Sequence, residues 1–315
     1  MNITGIETLV FGVEDLTACG KFLLDYGLEQ DVKSPHRYVA LDGSGVEVYN
    51  HTDASLPSSP NSCQMRKCVM GVADAETLEA IATELQKDRS VKRLTDGSLE
   101  SVDDSGFAIG FQISRRKELH LLGEVSNAPG SPIQRVANHL GVQANRGRIQ
   151  PRGLSHLVYF VPDLVKAESF YVKRLGFRVT DRFDGVGPFI QPAGSLEHHS
   201  HFLIGAPAFM QGVEHFTFHF AGPTEVLQNG NRFVEAGYQA FWGPGRHIFG
   251  SNWFWYFNSP FGCHIEMDAD MDLHDNTWIP RVATLGADAS QAFLLRRREK
   301  WSPGPGTPEK GDYAN

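Results

Sequence analysis

The feature that most constrains this chain is an internal repeat. Residues 5–24, GIETLVFGVEDLTACGKFLL, align without gaps on residues 153–172, GLSHLVYFVPDLVKAESFYV, at an offset of 148. Gly5 meets Gly153, Val10 meets Val158, Val13 meets Val161, Asp15 meets Asp163, Leu16 meets Leu164 and Phe22 meets Phe170. In each copy an alternating strand runs into an aspartate suited to cap a helix N-terminus. Each helix should stop near a glycine, Gly27 or Gly176, where a left-handed C-cap is cheap.

The later parts repeat as well. MGVADAETLEAIATELQK (70–87) parallels HFAGPTEVLQNGNRFVEAG (219–237), a strand, a turn and a helix with apolar periodicity. DSGFAIGF (104–111) parallels PFGCHIEM (260–267) at an offset of 156, with Gly106 opposite Gly262. Offsets this long are incompatible with solenoid repeats and fit two homologous domains built from β-α-β-β-β units. The expected organisation is an N-terminal domain over 1–124, a linker over 125–150, a second domain over 151–285 and a tail over 286–315. The linker carries Pro129 and Pro132 and one expected helical turn near 133–140. The tail begins with the short helical pattern ASQAFLLRRREKW and continues as PGPGTPEKGDYAN, which has the composition of a disordered or surface-draped segment.

With 315 residues, two domains are comfortable, and 32 glycines and 21 phenylalanines favour turn-rich, strand-rich packing over a helical bundle. The formal charge of −8, with no basic block except Arg296-Arg297-Arg298, argues against nucleic acid. No apolar run reaches the ~18–20 residues that span a bilayer. The four cysteines form no CxxC pair. These features predict a soluble protein of a reducing cytoplasm with free thiols.

Chemistry concentrates in the second copy. Nine of the 13 histidines follow residue 151. Where the second copy has His156, His215 and Glu266, the first has Thr8, Lys67 and Gly110. Two imidazoles and a carboxylate on three strands suit a divalent iron or manganese ion with open positions. By alternation His215 shares a face with Thr217 and His219, so His219 competes for the ligand role. Glu266 shares a face with His264 and Asp268. The stretch HIFGSNWFWYFNSPFGCHIE (247–266) reads as a hairpin around Asn258–Gly262, with His247, Tyr256 and Glu266 facing one cavity. In the run His198–His201, alternation places His199 and His201 on one face as rivals.

The second copy resembles the catalytic domain of type I extradiol ring-cleaving dioxygenases, in the vicinal oxygen chelate superfamily with glyoxalases and bleomycin-resistance proteins. The matching segments are HLVYFVPDLVKAESFYVKRLGF (156–177), HHSHFLIGAP (198–207), EHFTFHF (214–220) and GPGRHIFGSNWFWYFNSPFGCHIEMDAD (243–270). The resemblance runs from near residue 3 to about 272, with the first copy as a metal-free relative. It implies an α+β chain of two tandem domains, each of paired βαβββ modules forming a curled, barrel-like mixed sheet. It implies metal ligation by His156, His215 and Glu266, with His199 as the acid–base histidine and His247 and Tyr256 as substrate-side groups.

The resemblance further implies Fe(II), or Mn(II), as cofactor, O2 as co-substrate, a small aromatic diol as substrate and a homo-oligomeric state, with neither nucleic acid nor membrane as partner. A histidine with an unperturbed pKa of roughly 6.5 suits proton transfer in both directions. Trp253-Phe254-Trp255 and Phe249 are candidate apolar walls. Three rival readings exist on the same scaffold. A glyoxalase-type isomerase or thiol transferase often draws ligands from both copies, and the first copy has none at the equivalent positions. A resistance protein lacks the triad. An inactive relative would have no reason to keep the whole polar set.

Overall fold

The structure, a computed structural model, describes residues 1–59, 64–142 and 147–295. Four β-α-β-β-β modules follow one another. The first is β1 (Ile3–Val13), α1 (Leu16–Tyr26), β2 (Glu29–Gln30), β3 (Arg37–Val39) and β4 (Gly45–Asn50). The second is β5 (Met65–Val72), α2 (Ala75–Leu85), β6 (Lys92–Arg93), β7 (Leu99–Val102) and β8 (Ala108–Ile113). The third is β9 (Gly153–Val161), α3 (Leu164–Ser169, extended by one π-turn over Phe170–Arg174), β10 (Arg178–Asp184), β11 (Gly187–Gln191) and β12 (His201–Gly205). The fourth is β13 (Gly212–His219), α4 (Pro223–Glu235), β14 (Ala240–His247), β15 (Trp253–Asn258) and β16 (His264–Ala269). Strand β17 (Arg281–Thr284), the single turn α5 (Ala287–Ser290) and strand β18 (Gln291–Leu294) come last.

Local chemistry sets these boundaries. Asp15, Asp74 and Asp163 each accept a hydrogen bond from the amide three residues on, at 2.8, 2.7 and 3.0 Å, satisfying a donor left free in the first helical turn. Gly27 ends α1 at φ 122°, and a Cβ there would lie 2.4 Å from the Ile149 carbonyl, so only glycine fits.

The modules pair into two mixed sheets. The first has eight strands in the order β2-β3-β4-β1-β5-β8-β7-β6, and the second has ten, β17-β10-β11-β12-β9-β13-β16-β15-β14-β18. In each, the first strands of the two modules pair antiparallel at the centre and each pairs parallel with a later strand of its own module. That near-twofold arrangement produces the curled α+β architecture expected from the repeat. The two sheets share one contiguous core, in which Phe11 of β1 packs 5.3 Å from Phe216 of β13. Helix α4 lies over β15 so closely that a Cβ on Gly230 would overlap the Trp255 ring.

Two local expectations are corrected. No helix forms near 133–140, where the chain makes only a turn around Asn138 at φ 67°. The tail does not open as a helix beyond one turn: Gln291–Leu294 is a strand paired with β14, because its backbone satisfies an otherwise open sheet edge. The remainder of the tail from 296 lies outside the described residues, as does Cys63. Cys19, Cys68 and Cys263 form no disulfide with one another. Among the described residues, no helix is long and apolar enough to cross a membrane.

Candidate metal centre

The second sheet curls around a cavity of about 340 Å³. Two of its wall residues, His156 and His215, and the buried Glu266 come from three strands brought side by side by the register. His156 sits on β9 and His215 on β13, while β13 and β16 place Thr217 directly across from Glu266. The His156 Nε2 lies 2.9 Å from Glu266 Oε2 and 3.3 Å from His215 Nε2, and His215 Nε2 lies 3.5 Å from Glu266 Oε2. All three side chains are buried, and one ligand atom from each falls within 4.8 Å of the others.

The outer nitrogens are occupied. His156 Nδ1 is 2.9 Å from Ser155 Oγ, and His215 Nδ1 is in close contact with the Glu214 carboxylate. This leaves both Nε2 atoms converging on one point, the arrangement that holds imidazole ligands in a fixed tautomer. Glu266 Oε1 is buried without a hydrogen-bond partner among the described residues. An unpartnered buried carboxylate oxygen is costly unless something cationic meets it. The donor set, two neutral imidazoles and one carboxylate, therefore fits a divalent metal ion.

The three groups are shifted in different directions. Burial pushes the Glu266 carboxyl up, but His156, His247 and His215 outweigh it and hold the group well below the usual carboxylate range. Burial holds His156 neutral by pulling its pKa down against the attraction of Glu266. Burial also pulls His215 down, but Glu214 reverses the sign and its pKa rises. Glu214 itself falls to about 2, because His215 and His264 outweigh its burial.

The other expected polar groups line the same cavity. The His199 ring lies 4.2 Å from that of His156, and burial with its histidine neighbours drives its pKa well below the ordinary value. Tyr256 pairs across β15–β16 with Glu266 itself. His247, at the end of β14, places Nε2 3.3 Å from the Tyr256 hydroxyl and 3.5 Å from Glu266 Oε1. The Ser290 carbonyl accepts from its Nδ1 at 2.8 Å, so the tail segment holds this ring in place.

Two rivals leave the site. His201 does not share a face with His199. His199 precedes β12, so strand alternation does not govern it, and His201 turns into the core against Tyr171 and Phe177 at 5.3 and 5.5 Å. His219 keeps the face of Thr217 but lies farther along β13, bound to Asp268 at 2.7 Å and Glu197 at 3.1 Å. Of the expected apolar walls, Phe249 lines the cavity, whereas Trp253, Phe254 and Trp255 do not. The walls instead come from Val158, Phe183, Phe189, Phe202 and Phe249, with Phe189 and Phe202 stacked at 4.1 Å. Asn252, Trp242 and Leu285 complete the lining. A run such as GPFIQ in β11 reads only as a buried strand, so nothing local marked Phe189 as a wall.

Fold and site together define a chain of two mixed sheets whose second holds a His-His-Glu group with the donors of a divalent metal site. Residues 153–267 match the model of the Glyoxalase/Bleomycin resistance protein/Dioxygenase superfamily. A stretch of 131 residues, 42% of this chain, is 37% identical to Metapyrocatechase 2 of Cupriavidus necator. It spans 40% of that relative, less than half of its length.

Solved structures share the fold over nearly the whole chain. The halotolerant catechol dioxygenase BphC superposes with a TM-score of 0.71 at 15% identity, over 93% of this chain and 94% of its own. The 2,3-dioxygenase LapB from Pseudomonas sp. KL28 gives 0.68 at 19% identity, over 89% and 98%. The Mn(II)-bound glyoxalase from Novosphingobium aromaticivorans gives 0.69 at 18% identity, over 92% and 90%.

Proposed function

We propose that this chain is an extradiol dioxygenase that opens the ring of a catecholic aromatic beside its two hydroxyls, with both atoms of O2 entering the product. The observation that carries the reading is the cavity lined by His156 and His215 of the His156–His215–Glu266 group. His199, His247 and Tyr256 all face it, and apolar rings wall the space beyond. An isomerase drawing ligands from both domains is disfavoured, because Thr8, Lys67 and Gly110 line the corresponding pocket of the first sheet, where Lys67 pairs with Glu100.

His156, His215 and Glu266 would hold iron(II), with manganese(II) compatible with the same donors. When bound, the metal supplies Lewis acidity toward the diol oxygens and the electrons that activate O2. His199, with its pKa depressed, accepts a proton from a substrate hydroxyl and returns it as the ring opens. The Tyr256 hydroxyl and His247 Nε2 orient the diol oxygens from the opposite wall. The aromatic walls exclude water, so the proton stays within the group of histidines.

The walls also bear on which diol enters. Phe183, Phe189, Phe202 and Phe249 with Val158 and Ile204 offer no Lys or Arg for a carboxylate. The substrate is therefore a catechol whose further substituent is alkyl or aryl. Anaerobic reconstitution with iron(II), followed by a panel of catechols and O2, tests the reading. Yellow semialdehyde-type absorbance is expected with apolar diols, and no ring-opened product from any diol would overturn it.

A further inference from the structure

Behind the wall of the cavity, a line of groups runs from the half-exposed Arg281 through the buried Asp181 and His198 to His199. Asp181, on β10, is fully buried. Its Oδ1 accepts from the Arg281 backbone amide at 2.8 Å and from Arg281 Nε at 3.1 Å. Its Oδ2 accepts from Arg281 Nη2 at 2.5 Å and lies 2.7 Å from His198 Nε2. His198, also fully buried, places Nδ1 2.9 Å from Nδ1 of His199.

These contacts restrict where hydrogens can sit. Burial pushes Asp181 up, but His198 and Arg281 outweigh it and keep it ionised. An ionised carboxylate only accepts, so His198 Nε2 must donate to it. In the tautomer that donates from Nε2, His198 carries a lone pair at Nδ1. The facing Nδ1 of His199 must supply the hydrogen, since two lone pairs at 2.9 Å would repel. The remaining nitrogen of His199, Nε2, is left as a lone pair on a ring that lines the cavity.

We propose that Asp181 and His198 are positioning residues that fix His199 as its Nδ1–H tautomer and so present the Nε2 lone pair to the substrate hydroxyl. What His199 acts on rests on the ring-cleavage reading, whereas its tautomer does not. Arg281 belongs to β17, which pairs with β10 in register Asp181↔Arg281, so the strand added after the fourth module serves the base. The chain resembles other second-layer partners that orient a working imidazole, whose loss costs on the order of 10–100-fold.

The full-length chain with 15N-labelled histidine, kept free of paramagnetic metal, tests the tautomer by NMR, with His199→Gln assigning the signal. A pyrrole-type Nδ1 and a pyridine-type Nε2 are expected for His199. Asp181→Asn and His198→Leu should lose that signature and lower kcat by about 10–100-fold in the iron-loaded enzyme, with KM and iron content little changed. His198→Gln retains an acceptor for the His199 Nδ1–H and should keep both the signature and most of kcat. An unchanged His199 signature in Asp181→Asn, or equal losses in His198→Gln and His198→Leu, would overturn the proposal. A wild-type protein with the expected signature but no activity on any diol would count against the ring-cleavage reading alone.

Discussion

The hydroxyl of Tyr26, in the first domain, donates to the backbone carbonyl of Glu266 in the second at 2.6 Å. The carbonyl of Tyr26 in turn accepts from Asn229 Nδ2 at 2.8 Å. The first domain thus grips the strand that carries the carboxylate, and the Tyr26 ring packs against Phe218 and Phe220 at 5.8 Å. The first domain therefore buttresses the strand that carries Glu266.

Tyr26→Phe should keep the ring packing and leave the Glu266 carbonyl without this buried donor. A loss of about 1–3 kcal/mol in stability is expected. Chemical denaturation measures it, and an isothermal metal titration should show weaker binding in the same variant. No change in either would mean the first domain does not support the centre.

Glu266→Gln and Tyr256→Phe separate holding from orienting. Glu266→Gln removes the only anionic ligand and should abolish metal retention after gel filtration. Tyr256→Phe should retain metal and reduce kcat by about 10-fold or more, the scale of a lost oriented hydrogen bond in a dry site. Equal metal loss in both variants would show that Tyr256 belongs to the ligand set.

His201 makes the fold sensitive to acid. Burial, with His156 second, lowers its pKa from 6.5 to about 3. Below 6.5 the unfolded chain takes up a proton here that the native state refuses, so stability is lost as pH falls from 6.5 toward 3. Its Nε2 is buried with no partner among the described residues, so a leucine costs little at neutral pH. Urea unfolding of His201→Leu across that window should show a pH slope reduced by up to about 1.4 kcal/mol per pH unit. An unchanged slope would mean His201 is hydrated or charged in the native state.

Substrate choice follows from the aromatic walls. A catechol with an alkyl or aryl substituent should exceed its carboxylated counterpart in kcat/KM by about 10-fold or more, since full burial of such a group is worth about 1.5–3 kcal/mol. A preference for the carboxylate would place a cation in the pocket that Val158, Phe183 and Phe202 do not provide.

The repeat made the four modules legible, because Asp15 and Asp163 cap helices at equivalent points and Gly27 and Gly176 follow them. Glu266 was legible by contrast with Gly110. The network behind His199 was not: Asp181 and Arg281 are 100 residues apart and meet only through strand pairing. Nor was the separation of His199 from His201, since alternation says nothing of a residue that precedes its strand. The edge strand Gln291–Leu294 was hidden because its pattern satisfies a helix as well as a strand, and the open edge of β14 decided between them.

The most direct test of the central claim is the fate of oxygen. The iron-loaded protein, given an apolar catechol under 18O2, should release a ring-opened product that mass spectrometry finds labelled at two oxygen positions. A ring-opened product carrying one labelled oxygen or none, or an intact ring after full metal loading, would contradict it.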